Sequence, residues 1–106
     1  MGKFELYQDM AGAYRFRLKA SNGERIMKSE GYTTKAGAEK GIASVRSNAP
    51  DDGRYERNQS DAGYSFNLRA VNNEVIGTSE VYSSAQGRDN GIESVKQNAP
   101  GATLDD

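Results

Sequence analysis

Tyr14-Arg15-Phe16-Arg17-Leu18-Lys19-Ala20-Ser21-Asn22-Gly23-Glu24 is written again fifty positions on, as Tyr64-Ser65-Phe66-Asn67-Leu68-Arg69-Ala70-Val71-Asn72-Asn73-Glu74. The match continues to Pro50 and Pro100, and 18 of 37 positions are identical between Tyr14–Pro50 and Tyr64–Pro100. Tyr14, Phe16, Leu18 and Ala20 alternate with Arg15, Arg17 and Lys19, the period of a strand with one buried face. The copy keeps every apolar position and changes the polar ones, so what the duplication preserved is a core.

Asn22-Gly23 and Asn72-Asn73 mark hairpin turns, because these residue types tolerate positive φ. A two-residue loop would pair Lys19 with Ile26 and Arg69 with Ile76, turning both isoleucines to the polar face. A three-residue loop, Ser21 to Gly23 with Gly23 left-handed, pairs Leu18 with Ile26 and Leu68 with Ile76 on the core face, and is preferred. Upstream, Lys3–Gln8 reads as a strand with Phe4 and Leu6 on one face and Glu5 and Tyr7 on the other. Its counterpart is Arg54–Gln59, offset by 51 rather than 50, which places the length change in the turns after these strands. Downstream, Tyr32-Thr33-Thr34 and Tyr82-Ser83-Ser84 supply hydroxyl N-caps for helices running to about Asn48 and Asn98. Their apolar stripes are Ala38, Gly41, Ile42, Val45 and Gly91, Ile92, Val95. Asn-Ala-Pro stops both, since the residue before proline is pushed out of helical geometry. Only Asp51-Asp52-Gly53 then joins the copies, too short for a flexible linker between independent domains.

Gly-Lys-Phe-Glu-Leu-Tyr near the start, Phe-Arg-Leu-Lys-Ala-Ser-Asn-Gly-Glu, Ser-Glu-Gly-Tyr-Thr and Gly-Ile-Ala-Ser-Val-Arg-Ser-Asn-Ala-Pro resemble the YegP family of small bacterial proteins in its duplicated form. The resemblance implies tandem β-β-β-α units assembled into one antiparallel sheet with strands exchanged between units, some relatives having one unit and pairing as two chains. It carries no catalytic or binding residues, because the family is functionally uncharacterised. Asn73 departs from it, standing where the motif usually has glycine. A half of about 50 residues buries too little surface to be comfortable alone. The expected fold is therefore α+β: a single domain, residues 1–106, of tandem β-β-β-α repeats (1–50 and 51–106) sharing one six-stranded antiparallel sheet, with two helices on one face.

Function is less legible. The chain has no histidine and no cysteine, which removes Ser-His and Cys-His catalysis, thiolate metal sites and disulfides. Nothing at the start resembles a signal peptide and no run suits a membrane span, so a bacterial cytoplasmic location is expected. Glu30, Glu80, Tyr32 and Tyr82 recur, and a symmetric carboxylate pair could do acid and base work. A Ser-Glu-x-Tyr segment ahead of a helix reads better as backbone bonding and ring packing. No catalytic, cofactor or metal residue is assigned, and Asp51-Asp52 and Asp105-Asp106 read as solvated ends. Gly37 and Gly41, like Gly87 and Gly91, share a helical face and suggest close approach of the backbone to the sheet or the other helix, rather than a ligand groove.

Charge is unevenly divided: residues 1–50 carry nine Lys/Arg and five Asp/Glu, residues 51–106 five and ten. Arg15, Arg17, Lys19 and Arg25 fall on the polar face of the first hairpin, with Arg69 alone on the second, and form the candidate binding face. A solvated strand face is the plain reading of that stripe. A non-enzymatic binding or interaction module with a protein partner, or self-association, ranks first. Nucleic acid ranks second, because the aromatics Tyr14, Phe16, Tyr64 and Phe66 point to the buried side and leave only Tyr7 for stacking.

Overall fold

The computed structural model describes residues 2–105; Met1 and Asp106, and with the latter half of the acidic end Asp105-Asp106, lie outside the described residues. The order is β1 (Lys3–Gln8), β2 (Tyr14–Lys19), β3 (Arg25–Lys28), α1 (Lys35–Asn48), β4 (Tyr55–Ser60), β5 (Gly63–Arg69), β6 (Val75–Ser79), α2 (Ala85–Asn98) and β7 (Thr103–Asp105). The strands form one sheet in the order β4-β5-β6-β3-β2-β1-β7. A pseudo-twofold axis passes through the β3–β6 pairing, where Lys28 faces its own counterpart Thr78 and Met27 faces Ser79.

Among the described residues the sheet has seven strands and is mixed, not six-stranded and antiparallel. β7 runs parallel to β1, pairing Thr103 with Lys3 and Asp105 with Glu5. Three exposed residues carry no alternation that could announce a strand; backbone pairing with a remote edge makes it. The Thr103 N–H donates to the Gly2 carbonyl at 3.1 Å, and the Arg46 guanidinium of α1 donates to the carbonyls of Ala99 and Ala102. Asp105 meets Lys3 at 3.7 Å, so it is tied to the fold. Asp51 and Asp52 are likewise engaged rather than idle: Asp51 accepts from the Gly53 N–H at 2.9 Å, and Asp52 binds Lys96 at 2.8 Å and Arg57 at 3.1 Å.

The first hairpin has the expected three-residue loop. The Ala20 N–H donates to the Glu24 carbonyl and the Gly23 N–H to the Ala20 carbonyl. Gly23 has φ 88° and Asn73 φ 73°, so asparagine fills the left-handed position in the second copy. The expected pairing beyond the turn is corrected. Leu18 pairs with Met27 and Leu68 with Gly77, because Ile26 and Ile76 are extra residues in β-bulges. The bulge sends both Ile26 and Met27 to the core, at 4% and 2% exposure.

Thr34 and Ser84 cap the helices, each accepting a backbone N–H, from Gly37 and Gly87, at 3.0 Å. The expected stop mechanism is also corrected. Ala49 (φ −54°, ψ −38°) and Ala99 (φ −65°, ψ −45°) stay right-handed helical, so the proline ends the ladder by lacking an N–H, not by displacing its neighbour. α1 packs on β2 of its own repeat and on β5 and β6 of the other, while α2 packs on β3 and β5. One core results, with Phe4, Phe16, Leu18, Phe66, Leu68, Val45, Ile92 and Val95 buried together. Beside the axis the copies are unequal: Met27 lies over Gly77, its own equivalent, where an added Cβ would stand 2.7 Å from Met27 Cε.

Gly41 and Gly91 serve packing by close approach to the sheet and to a ring ahead of each helix: an added Cβ would stand 3.0 Å from Phe16 Cε2 on β2 and 3.2 Å from Phe66 Cε2 on β5. The ring of Tyr32 lies against Gly41 and that of Tyr82 against Gly91; a Cβ would come within 2.9 Å of Tyr32 Cζ and 2.8 Å of Tyr82 Cζ. Tyr32 also stacks on Phe16 at 6.2 Å.

Candidate functional site

With both helices on one face, the other face of the sheet carries the polar residues. Registers place Glu5, Arg17, Lys28, Thr78, Asn67 and Glu56 in one row across six strands. Beside Arg17 on this face stand Arg15, opposite Tyr7, and Lys19, opposite Lys3 and Arg25. The structure thus brings Arg15, Arg17, Lys19 and Arg25 together on one uncovered surface. Arg69 stands apart on the second repeat, its Nη2 on both oxygens of Glu56 at 3.1 Å.

The stripe is not simply solvated, since most of its charges are matched. Arg15 Nε donates to Asp9 at 2.7 Å, Arg17 Nε to Glu5 at 2.9 Å, and Lys19 approaches Glu5 at 3.3 Å. Asp9 also accepts the N–H groups of Ala11 and Ala13, so Arg15 steadies the β1–β2 turn. The Arg15 hydrogen bond holds the Asp9 carboxyl below its usual range. Partial desolvation pushes Glu5 up, but Lys19, Arg17 and Lys3 outweigh it and its pKa is lowered. Tyr7 is the aromatic on this face, and the Arg17 guanidinium lies 4.5 Å from its ring centre.

Two cations remain. Among the described residues Arg25 and Lys28 enter no ion pair, and with Tyr7, Arg17, Met27 and Glu80 they line a hollow of about 240 Å³. Lys28 was missed by the sequence reading, and the bulge at Ile26 is the reason: unbulged alternation from Arg25 turns Lys28 inward. The consecutive apolar pair Ile26-Met27, flanked by charges, was the available signal.

The recurring acids do not form a shared centre. Glu30 lines a depression with Tyr32, Glu74, Val75 and Ile76, whereas Glu80 lies at the basic hollow. Ser29 Oγ accepts the Phe16 N–H at 2.9 Å and donates to the Glu30 carbonyl at 2.7 Å, and Ser79 repeats this with Phe66 and Glu80. Burial, with Glu74 and Glu30, raises the Tyr32 hydroxyl pKa, which suits a packing ring rather than an acid at neutral pH. Among the described residues no cluster of acidic side chains could hold a metal ion, and no helix is long and apolar enough to cross a membrane.

Comparison with known proteins agrees with the duplication. The model of a domain of unknown function, DUF1508, matches twice, at residues 9–56 and 60–106. UPF0339 protein YegP of Escherichia coli K12 is 55% identical over 62 residues, 58% of this chain and 56% of the relative. A UPF0339 protein from the ptx operon 5′ region of Stutzerimonas stutzeri is 59% identical over 61 residues, 58% of this chain and 55% of the relative. In these alignments the chain spans a little over half the length of the curated relatives. A Treponema denticola UPF0339 protein matches at 60% identity over 50 residues, 47% of this chain but 86% of its own length, so it holds little more than one repeat. The solution structure of yegP from E. coli, a protein of unknown function, superposes with a TM-score of 0.94 at 51% identity, covering 99% of this chain and 91% of that one. UPF0339 protein SO3888 of Shewanella oneidensis gives 0.94 at 45% identity, covering 99% and 90%. Matched in both repeats and over nearly its whole fold, the chain belongs to the DUF1508 family, in the duplicated form shared with YegP.

Proposed function

We infer that the chain is a non-enzymatic binding module that takes the acidic surface of a protein partner onto the uncovered sheet face of its first repeat. The observation that carries this is the pair Arg25 and Lys28, which line one hollow on the uncovered face and enter no ion pair among the described residues. Cations left unmatched beside matched ones are a standing field for an incoming anionic group. A nucleic-acid strand is served less well. Tyr7, the one aromatic of the face among the described residues, is engaged by Arg17, and the central row passes into Asn67 and Glu56 on the second repeat. The non-catalytic reading rests on the chemistry missing from the sequence and on the separation of Glu30 from Glu80.

The test compares the chain with an R25V/K28T variant, each substitution being the residue that the second repeat carries at the equivalent position. A protein retained from bacterial lysate by the first and lost by the second, and released by salt, is the expected result. Salt-sensitive binding of generic single-stranded RNA or DNA, lost in the same variant, would put nucleic acid first.

A further inference from the structure

The basic hollow is more specific than a charged face requires. Its cations come from two neighbouring strands: Arg17 on β2 directly faces Lys28 on β3, and Arg25 lies on β3 before the bulge. Arg17 gives its Nε to Glu5 and sets its Cζ over the Tyr7 ring, which fixes the guanidinium; its two terminal nitrogens enter no hydrogen bond among the described residues. The Tyr7 hydroxyl is likewise unbonded among them. Donors thus converge from Arg17, Arg25, Lys28 and Tyr7, against one carboxylate, Glu80, on the rim. A carboxylate has two oxygens for these groups. A phosphate monoester offers three and carries nearly two charges at neutral pH.

The second repeat shows that this arrangement is not part of the shared architecture. The equivalents of Arg17, Arg25 and Lys28 are Asn67, Val75 and Thr78, so the fold does not need cations there. The hollow, at about 240 Å³, is smaller than the roughly 300–1,000 Å³ of pockets that enclose whole small molecules. It fits an anionic head while the carrier lies across the uncovered face.

We propose that this hollow is a receptor for a phosphorylated serine or threonine of the partner protein, held by Lys28, Arg25 and the free nitrogens of Arg17. This rests on the binding-module reading and names the group that the face selects. Lys28 and Arg25 supply charge, Arg17 supplies a pre-oriented fork, and Glu80 weakens anions that cannot make all the contacts.

The test is an amide-shift titration of the full chain with a neutral peptide bearing one phosphoserine, the same peptide with glutamate there, and inorganic phosphate. The phosphopeptide should shift Arg17, Arg25 and Lys28 and bind about five- to tenfold more tightly than the glutamate peptide. R25V and K28T should each weaken it about fivefold, the upper range of one exposed charge contact, while E80Q strengthens it. The affinity should rise as pH goes from 5 to 7, following the second phosphate ionisation near 6, whereas the glutamate peptide stays flat because the chain has no histidine. Equal affinity for the two peptides would keep the acidic-partner reading and overturn the phosphate site. No localised shift with either peptide would overturn both. Inorganic phosphate binding as tightly as the phosphopeptide would replace the protein carrier with a free phosphate compound. An R15S loss as large as that of K28T, or preference for a single-stranded oligonucleotide, would also overturn the proposal.

Discussion

Exchanging Met27 and Gly77 probes the shared core at the axis. The Met27 side chain, 2% exposed, occupies the space above Gly77, where an added Cβ would lie 2.7 Å from its Cε and 2.8 Å from its Cγ. Met27→Gly removes a buried side chain and loosens a strand, at a cost of about 3–5 kcal/mol. Gly77→Met alone forces two methionines into one space and costs about 1–3 kcal/mol by overpacking. If the sites were independent, the double variant would lose about 4–8 kcal/mol, most of the stability of a domain this size. Because pseudo-symmetry relates the two positions, the exchanged pair refills one space from the other side, and the coupling should recover at least about 2 kcal/mol. Urea unfolding of the four proteins, with unchanged m-values, measures this. Additivity within about 0.5 kcal/mol would refute a single space shared across the axis.

Gly41→Val and Gly91→Val should each destabilise by about 1–3 kcal/mol despite the gain in helix propensity, because Tyr32 and Tyr82 fill the room; a neutral result in thermal unfolding would mean those rings are free to move. Changing Arg15, Arg17 and Lys19 together to serine should cost about 1–2 kcal/mol, more than solvated cations would, since Glu5 and Asp9 lose their partners; a loss under about 0.5 kcal/mol in urea would show that the pairs contribute nothing. Asp9 (chiefly through Arg15), Asp52 (through Lys96 and Arg57) and Glu56 (through Asn67 and Arg69) all have lowered pKa values in the fold. Their stabilisation is complete above the unfolded carboxylate range and is lost as pH falls through the folded values, so the unfolding midpoint should drop below about pH 4, and Asp9→Asn should flatten that drop. Burial raises the pKa of Tyr55, and also those of Tyr32 and Tyr82, so stability should also fall as pH climbs above about 10, where the unfolded tyrosines ionise, and Tyr55→Phe should shrink that limb without removing it.

The features legible in the sequence were those written in short periods. Alternation gave β2 and β5, and hydroxyls before the apolar stripes gave the caps at Thr34 and Ser84, whereas the three-residue turn at Ser21–Gly23 was preferred for a Leu18–Ile26 pairing that the bulge replaces with Leu18–Met27. What stayed hidden needed partners distant in the chain. β7 exists because the Gly2–Glu5 edge is there to pair with, and nothing in Thr103-Leu104-Asp105 announces it. The bulge at Ile26 shifted the pairing of Leu18 to Met27 and turned Lys28 outward, so the most informative cation of the face was overlooked. The matching of Arg17 by Glu5 depends on the β1–β2 register, which a stripe counted along one strand cannot reveal.

Separating the repeats tests the account most directly. Residues 1–52 and 53–106, each alone, have an exposed β3 or β6 and a helix missing half of its bed, and a pair of first repeats would set Met27 against Met27. Each fragment should be unfolded by circular dichroism and amide dispersion, and mixing them should give a folded one-to-one complex by sedimentation, with the amide spectrum of the intact chain. A folded, monomeric fragment of residues 1–52 would contradict the shared sheet and core.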